Sequence, residues 1–477
     1  MDAAFPFLLF SAAVIVAFNV NRSAGWHRLV LLLANLAFLA TFSLQPKSYL
    51  PFAAFLVFGY LGVQLVRAYG RFLFWPVLLT TIAAFIWLKK YQFLPSSSFL
   101  HFVYVTIGLS YIFFRILHLQ IDTNSGEIEE RIGPLEYFNY TCNFATLVTG
   151  PIQLYQDFKA SPGLAGNNGL DFALVAPALE RILRGVIKTN VLALAAARVR
   201  EAAMDVLLTT SHPSTKLTSA VLVFALYPIF LYCNFSGFID IVIGVGELLG
   251  FHLPENFNRP FSARNFLDFW GQWHITLSNW LKRYVFNPMM LTVMRRFPSV
   301  TLEPFWAVLA YFVTFALIGI WHGQTSEFLF FGFLQGLGVS MNKLYQILIT
   351  RRLTRAGYKK LAAEPWYRAA CRGLTYTWFA FTLVWFWSNW KQMDTFYKRL
   401  GIAETLAAWF AIFLIATAAL ALWEAVRDRV FGLEWEGALV VDSMYARVAW
   451  SCMLAVMVIA VTLLAGQSAP DMVYKAF

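Results

Sequence analysis

The run PFWAVLAYFVTFALIGIW, residues 304–321, holds no charged side chain over its length, and His322 and Gly323 follow it directly. A helix of about 20 apolar residues crosses the hydrocarbon core of a bilayer, so this run reads as one crossing. Comparable stretches recur near 3–20, 29–46, 49–66, 72–88, 98–121, 218–249, 325–347, 370–389, 401–423 and 448–465. The run at 218–249 is too long for one straight crossing. It reads either as two helices or as one long tilted helix. Lipid gives the backbone no hydrogen-bond partner, so spans are helices or closed barrels. The apolar–polar alternation of barrel strands does not occur. The expected fold class is all-α: a polytopic membrane protein of about 11 transmembrane helices.

Composition agrees. Hydrophobic residues make up 59% of the 477 and charged residues 13%, against roughly 25% charged in soluble domains. No soluble domain, repeat or low-complexity segment stands out. The net charge of +11 does not point to nucleic acid, because basic residues of membrane proteins gather in cytoplasmic loops. The densest cluster is Arg351, Arg352, Arg355, Lys359 and Lys360; a second is Arg427, Arg429 and Arg447. Two spans separate them, so both can face the cytoplasm. Arg22 and Arg28 flank one early loop, and Arg67 and Arg71 flank another two spans on. This places the N-terminus outside, provided 122–303 crosses an even number of times; Lys89 and Lys90 weakly oppose it. The start, Met-Asp-Ala-Ala, has no basic region or cleavage site of a signal peptide, so 3–20 reads as a retained span. Cys142, Cys233, Cys371 and Cys452 are far apart in mostly apolar sequence and read as buried free thiols.

Three stretches break the apolar frame. Residues 121–136 are polar and turn-rich. Residues 171–200 form an amphipathic helical pattern with Glu180, Arg181, Arg184 and Lys188. Residues 252–290 mix Trp and Phe with Asn, Arg, Asp, His and Lys. Polar groups at membrane depth are costly and commonly functional. Of the seven histidines, His27 and His212 read as solvated, His101 and His118 as structural, and His252 as a helix-end residue. His274 and His322 are the two in unusual surroundings. His322 closes an apolar span. His274 sits in FWGQWHITLSNW (269–280), where a helix would put Trp270, His274 and Leu277 on one face. An imidazole can take and return a proton near neutrality, so the pair suggests proton transfer; packing by hydrogen-bonded imidazoles is the alternative. No P-loop, GxSxG, HExxH or CxxC pair occurs, and no cluster has metal-ligand spacing. No metal is expected.

The ordered run of NFSGFIDIVIG (234–244), LGF (249–251), PENFNRPF (254–261), FW (269–270), WHITLS (273–278) and GIWHG (319–323), with TGPI at 149–152 and FW at 386–387, resembles the membrane-bound O-acyltransferase superfamily. It is most similar to the bacterial branch that holds alginate O-acetyltransferase and the teichoic-acid D-alanyl transfer protein. The resemblance covers about 105–400. It implies a single membrane domain over 1–477, with N-terminal spans in 1–121, a motif-bearing core at 122–347 and C-terminal spans in 370–465. It also implies short re-entrant or slanted helices around a thin centre. The reaction implied is transfer of an acyl group, acetyl in the leading reading, from a thioester to hydroxyls of an exported polysaccharide; D-alanyl transfer to an envelope polymer is the alternative. His322 maps to the essential histidine and His274 to its supporting one. Trp273, Trp321, Asn279, Asn234 and Asp240 are candidates for the acceptor, and Arg259, Lys282 and Arg283 for the donor's phosphates. The donor would be acetyl-CoA or an acyl-phosphopantetheine carrier, a co-substrate rather than a bound cofactor. Expected partners are the polysaccharide, an extracytoplasmic acyltransferase or export-complex proteins, and membrane lipids, in the bacterial inner membrane. The family often has basic or amide residues after the Phe-Trp pair; Gly271-Gln272 stands there here. A transporter or proton channel is the competing class, and it would be supported by a repeat symmetry that the sequence does not display.

Overall fold

A computed structural model describes residues 4–166, 172–299, 301–426 and 444–464. Helices dominate, and no strand forms among the described residues. A helix stands at each expected span. Five are long and apolar enough to cross a membrane: Pro46–Tyr69, Arg71–Leu88, Pro213–Leu248, Glu303–His322 and Ile402–Val426. Pro6–Asn19, Ala24–Ala40 and Val448–Met457 are shorter apolar stretches. The second basic cluster, at 427–447, lies outside the described residues or their side chains.

The chain divides into two compact units. The first comprises residues 1–186, 235–254 and 465–477, the last of these stretches lying outside the described residues. Gly70, at φ 54°, turns the chain between the Leu50–Tyr69 and Arg71–Leu88 helices, a conformation open to glycine at little cost. The stretch read as a span at 98–121 is helical only from Leu109; Gly108 begins it in a left-handed conformation (φ 78°). Its Arg115, His118, Gln120 and Asp122 are buried. Arg115 donates to the carbonyls of Tyr140 (3.1 Å), Thr141 (2.8 Å) and Thr146 (3.1 Å), and to the Thr146 hydroxyl (2.6 Å). His118 Nε2 accepts from the Tyr155 N–H (2.9 Å), and its Nδ1 lies 3.2 Å from Asp122. These bonds pin the non-helical segment carrying Thr149-Gly150-Pro151-Ile152 and satisfy its buried groups. His27, expected in water, is buried: it stacks on Phe18 at 4.0 Å and bonds the Gly163 carbonyl at 2.8 Å. His101, expected to be structural, is exposed.

The second unit comprises residues 187–234 and 255–464. The 218–249 run proves to be one unbroken helix, Pro213–Leu248, with Pro228 inside it. Residues 351–360 are helical rather than loop: Ser326–Ala363 continues through them, with a break at Thr354 (φ 65°), and the basic side chains are exposed. The 370–389 span divides at Leu383 into Pro365–Thr382 and Val384–Trp387. Of the four thiols, Cys142 and Cys233 are buried, but Cys371 is half-buried and Cys452 exposed; on an apolar chain surface such a thiol meets lipid.

Glu303–His322 and Ser326–Ala363 form a tight helical hairpin. A Cβ on Gly319 would lie 2.4 Å from the Phe328 carbonyl oxygen and 3.1 Å from Gly332 Cα. The backbones touch because both positions lack side chains, as is common where membrane helices pack closely. Gly319→Val is therefore expected to push the hairpin apart and to lower the melting temperature in detergent, since overpacking costs about 1–3 kcal/mol even where side chains can yield. A thermal-stability assay by size-exclusion chromatography checks this; a wild-type transition would contradict the close approach.

Candidate active site

The segment 255–281 folds locally into two short helices, Phe266–Trp270 and Ile275–Leu281, joined through an extended step. The step is held by an antiparallel bridge between Phe257 and Trp273, with Asn258 N–H donating to Gln272 O (3.0 Å) and Ile275 N–H to Asn256 O (3.0 Å). The expected single helix through 269–280 is thus broken at His274, which is left-handed (φ 46°, ψ 53°). A non-glycine residue adopts that conformation at a cost of about 1–2 kcal/mol.

Asn256 holds it there. Completely buried, it offers one oxygen, Oδ1, to three donors: Thr276 N–H (3.1 Å), Thr276 Oγ1–H (2.9 Å) and His274 Nδ1 (3.1 Å). A backbone N–H can only donate, so the atom facing Thr276 is the amide oxygen. The ring nitrogen facing the same oxygen must carry hydrogen. His274 is therefore the Nδ1–H tautomer when neutral, and Nε2 is its proton-accepting nitrogen. Reading the residues singly missed Asn256, which entered only inside the PENFN run. The available signal was an amide in a strongly aromatic stretch, where burial demands partners.

His322 ends the Glu303–His322 helix and is buried. Its ring packs edge-on against Phe386 (centroids 5.1 Å) and Phe331 (6.0 Å). Gly323 is small because the Phe328 ring occupies the space: a Cβ there would lie 2.0 Å from it. The Trp321 ring is in contact with both imidazoles, its centroid 6.0 Å from that of His274 and 4.8 Å from that of His322. The structure thus brings together His274, Trp321 and His322, residues 47 to 48 positions apart in sequence, inside one unit. Burial disfavours the charged form of the His274 ring, with the neighbouring His322 adding to the effect, so that ring rests neutral.

The other candidates distribute differently. Trp273 is in the aromatic core, against Phe257 (5.1 Å), Phe269 (5.6 Å) and Phe379 (5.0 Å). Asn279 is exposed on the Ile275–Leu281 helix. Asn234 is buried on the Pro213–Leu248 helix. Asp240, farther along that helix in the first unit, pairs with Arg181 (3.2 Å), which also reaches Glu247 (3.7 Å). Lys282 and Arg283 share a π-helical turn, Lys282–Phe286, at the end of Ile275–Leu281, about 12 Å along the chain from His274. Arg259 is left-handed (φ 48°) at the bridge turn. Gln272, where the motif's resemblance implies a basic or amide residue, donates its amide to the carbonyls of Asn258 (2.9 Å) and Arg259 (3.0 Å). It ties the turn instead of presenting a charge. No His, Cys, Asp and Glu group able to hold a metal occurs among the described residues.

The membrane-bound O-acyltransferase family model matches residues 67–386, and the chain belongs to that family. It is 25% identical to a teichoic acid D-alanyltransferase of Bacillus subtilis over 63% of this chain and 76% of that protein. It is 30% identical to a peptidoglycan O-acetyltransferase of Helicobacter pylori over 44% of this chain and 38% of that protein. It is 27% identical to the Pseudomonas fluorescens protein called "Probable alginate O-acetylase AlgI" over 50% and 45%. The chain matches less than half the length of the last two.

Proposed function

We propose that this chain transfers an acetyl group from a thioester donor to hydroxyls of an exported polysaccharide, with His322 as general base. The observation that carries the reading is the convergence of His274 and His322 on Trp321 in a member of an O-acyltransferase family. His322 takes the proton of the acceptor hydroxyl as its oxygen bonds the thioester carbonyl carbon. The C–S bond then breaks, and the proton passes to the leaving thiolate. His274, holding its lone pair at Nε2, accepts a hydrogen bond from a neighbouring hydroxyl of the acceptor sugar and so orients the reacting one. Arg259 and the Lys282–Arg283 turn are the basic groups available to the donor's phosphates, whether the donor is acetyl-CoA or an acyl-phosphopantetheine carrier. The chain lies in the inner membrane with its N-terminus outside, so that the basic 351–360 stretch faces the cytoplasm. Acyl groups reach the polymer directly or through an extracytoplasmic partner enzyme.

D-alanyl transfer is the second reading, favoured by the broader coverage of the Bacillus subtilis relative. Mass spectrometry of envelope and secreted polymers from cells with and without this protein tests both. Loss of a 42 Da ester increment is expected for acetyl, and of a 71 Da increment for D-alanyl, both being about the mass that condensation adds in acyl transfer between a thioester and a hydroxyl. Unchanged polymers would sink both.

A further inference from the structure

Arg200 lies on the Leu194–Thr209 helix. Its guanidinium carbon sits 4.0 Å from the ring centre of Trp387 and 4.9 Å from that of Tyr227. Three other arginines of the same unit find oxygen partners. Arg372 donates to Ser262 O and to Glu424; Arg368 pairs with Glu424; Arg399 donates to the carbonyls of Leu207 and Thr210. Arg200 has rings on two sides and no ion pair among the described residues, and its Nε is buried without an acceptor. Glu201, next in sequence, is exposed and acts on it only through space. The indole N–H groups of Trp385 and Trp387 are likewise buried without acceptors. Native structures leave few such donors unmet, and a group of them asks for an explanation.

The position supplies one. Trp387 follows Phe386, whose ring lies against His322. Trp390 donates its indole N–H to Ser326 Oγ (2.8 Å) and its backbone N–H to Glu327 (3.0 Å), so 387–390 and 322–327 share one end of the unit. The exposed basic residues from 351 onward lie about 38 Å away along the Ser326–Ala363 helix. A guanidinium stacked on aromatic faces keeps its planar edge of donors for an oxyanion, and stacking pre-organises that edge.

We propose that Arg200, with Trp387 as its platform, forms an anion subsite beside His322 that takes a carboxylate or phosphate oxygen. The subsite rests on the acyl-transfer reading above and narrows its substrate class: the acceptor is an anionic polymer whose charge, one sugar or repeat away, registers a hydroxyl at His322. The donor's phosphates are the other source of the same chemistry.

Equilibrium binding to the purified full-length protein in detergent tests this without requiring turnover. The probes are a uronic-acid trisaccharide, its neutral counterpart and coenzyme A. The wild type is expected to bind the acidic trisaccharide at least about tenfold more tightly than the neutral one, the size of one charge-assisted hydrogen bond. Arg200→Met, which keeps much of the side chain's bulk, should bring that ratio to about one; Arg200→Lys, charged but without the planar fork, should fall between. A tenfold loss of coenzyme A affinity with an unchanged trisaccharide ratio would assign the anion to the donor and overturn the acceptor assignment. Wild-type affinities for all probes in a folded Arg200→Met would overturn the subsite. If that variant does not fold, wild-type affinities in Arg200→Lys would do the same. A protein that binds as expected yet transfers no acyl group would count against the catalytic reading alone.

Discussion

Glutamine or alanine in place of His322 is expected to lower acyl transfer by about 10²–10⁴-fold, the usual worth of a positioned general base, while the protein still inserts and folds. The structural grounds are specific. His322 is the last residue of its helix, so its replacement interrupts no turn that follows. Its ring packs edge-on against Phe331 and Phe386, and a glutamine side chain would fill much of the same volume. A sugar hydroxyl is a poor nucleophile at neutral pH, and it attacks a thioester only as a base takes its proton; an amide cannot do so. The measurement is the acyl content of the polymer, beside the melting temperature of the purified variant. A His322→Gln protein that folds and acylates at the wild-type rate would remove His322 from the chemistry. His274→Gln is expected to cost less, because in the proposed mechanism that ring supports the reaction without taking the proton.

What the sequence made legible, and what it hid, follows from the range of the interactions involved. The runs 49–66, 72–88, 304–321 and 401–423 are helices within a few residues of those bounds, because an uncharged run in lipid has one way to satisfy its backbone. Polarity misled more. His27 sits beside Arg28 in sequence and reads as solvated, but its partners are Phe18 and the Gly163 carbonyl, the latter 136 residues away. The 98–121 run is apolar enough to span, yet Pro95, the Ser96–Ser98 turn and Gly108 keep its first part from being helical. The two histidines were legible as a pair, since a basic ring in so aromatic a setting needs a reason. The conformation of His274 was not. Local preference favours one helix through 269–280; the left-handed break is imposed by Asn256, 18 residues earlier, through bonds that no periodicity reports.

That dependence makes Asn256 the second sensitive position. Asn256→Ala would leave Thr276 N–H, the Thr276 hydroxyl and His274 Nδ1–H without their acceptor in a fully buried place, and each buried unmet donor costs about 1–3 kcal/mol. Part of this relaxes as the segment shifts, and what relaxes is the left-handed turn that aims the ring. A drop in kcat of about 10–100-fold is expected, the usual cost of losing the partner that orients a working histidine, with little change in donor KM. Asn256→Asp separates positioning from mere structure. The carboxylate still accepts from all three donors, so the turn and the Nδ1–H tautomer survive, but it sets a negative charge about 3 Å from the imidazole, the distance of the present hydrogen bond. An anion that close favours the protonated ring and raises its pKa, commonly by about 1–3 units. With His274 working through a neutral Nε2, as proposed above, the acidic limb of the pH–rate profile should move to higher pH, by about one unit or more, while activity on the alkaline side is kept. A purely structural role predicts the opposite pattern: a uniform loss at every pH, or none. Superimposable profiles for the wild type and Asn256→Asp, with Asn256→Ala fully active, would show that His274 Nε2 takes no part in the reaction.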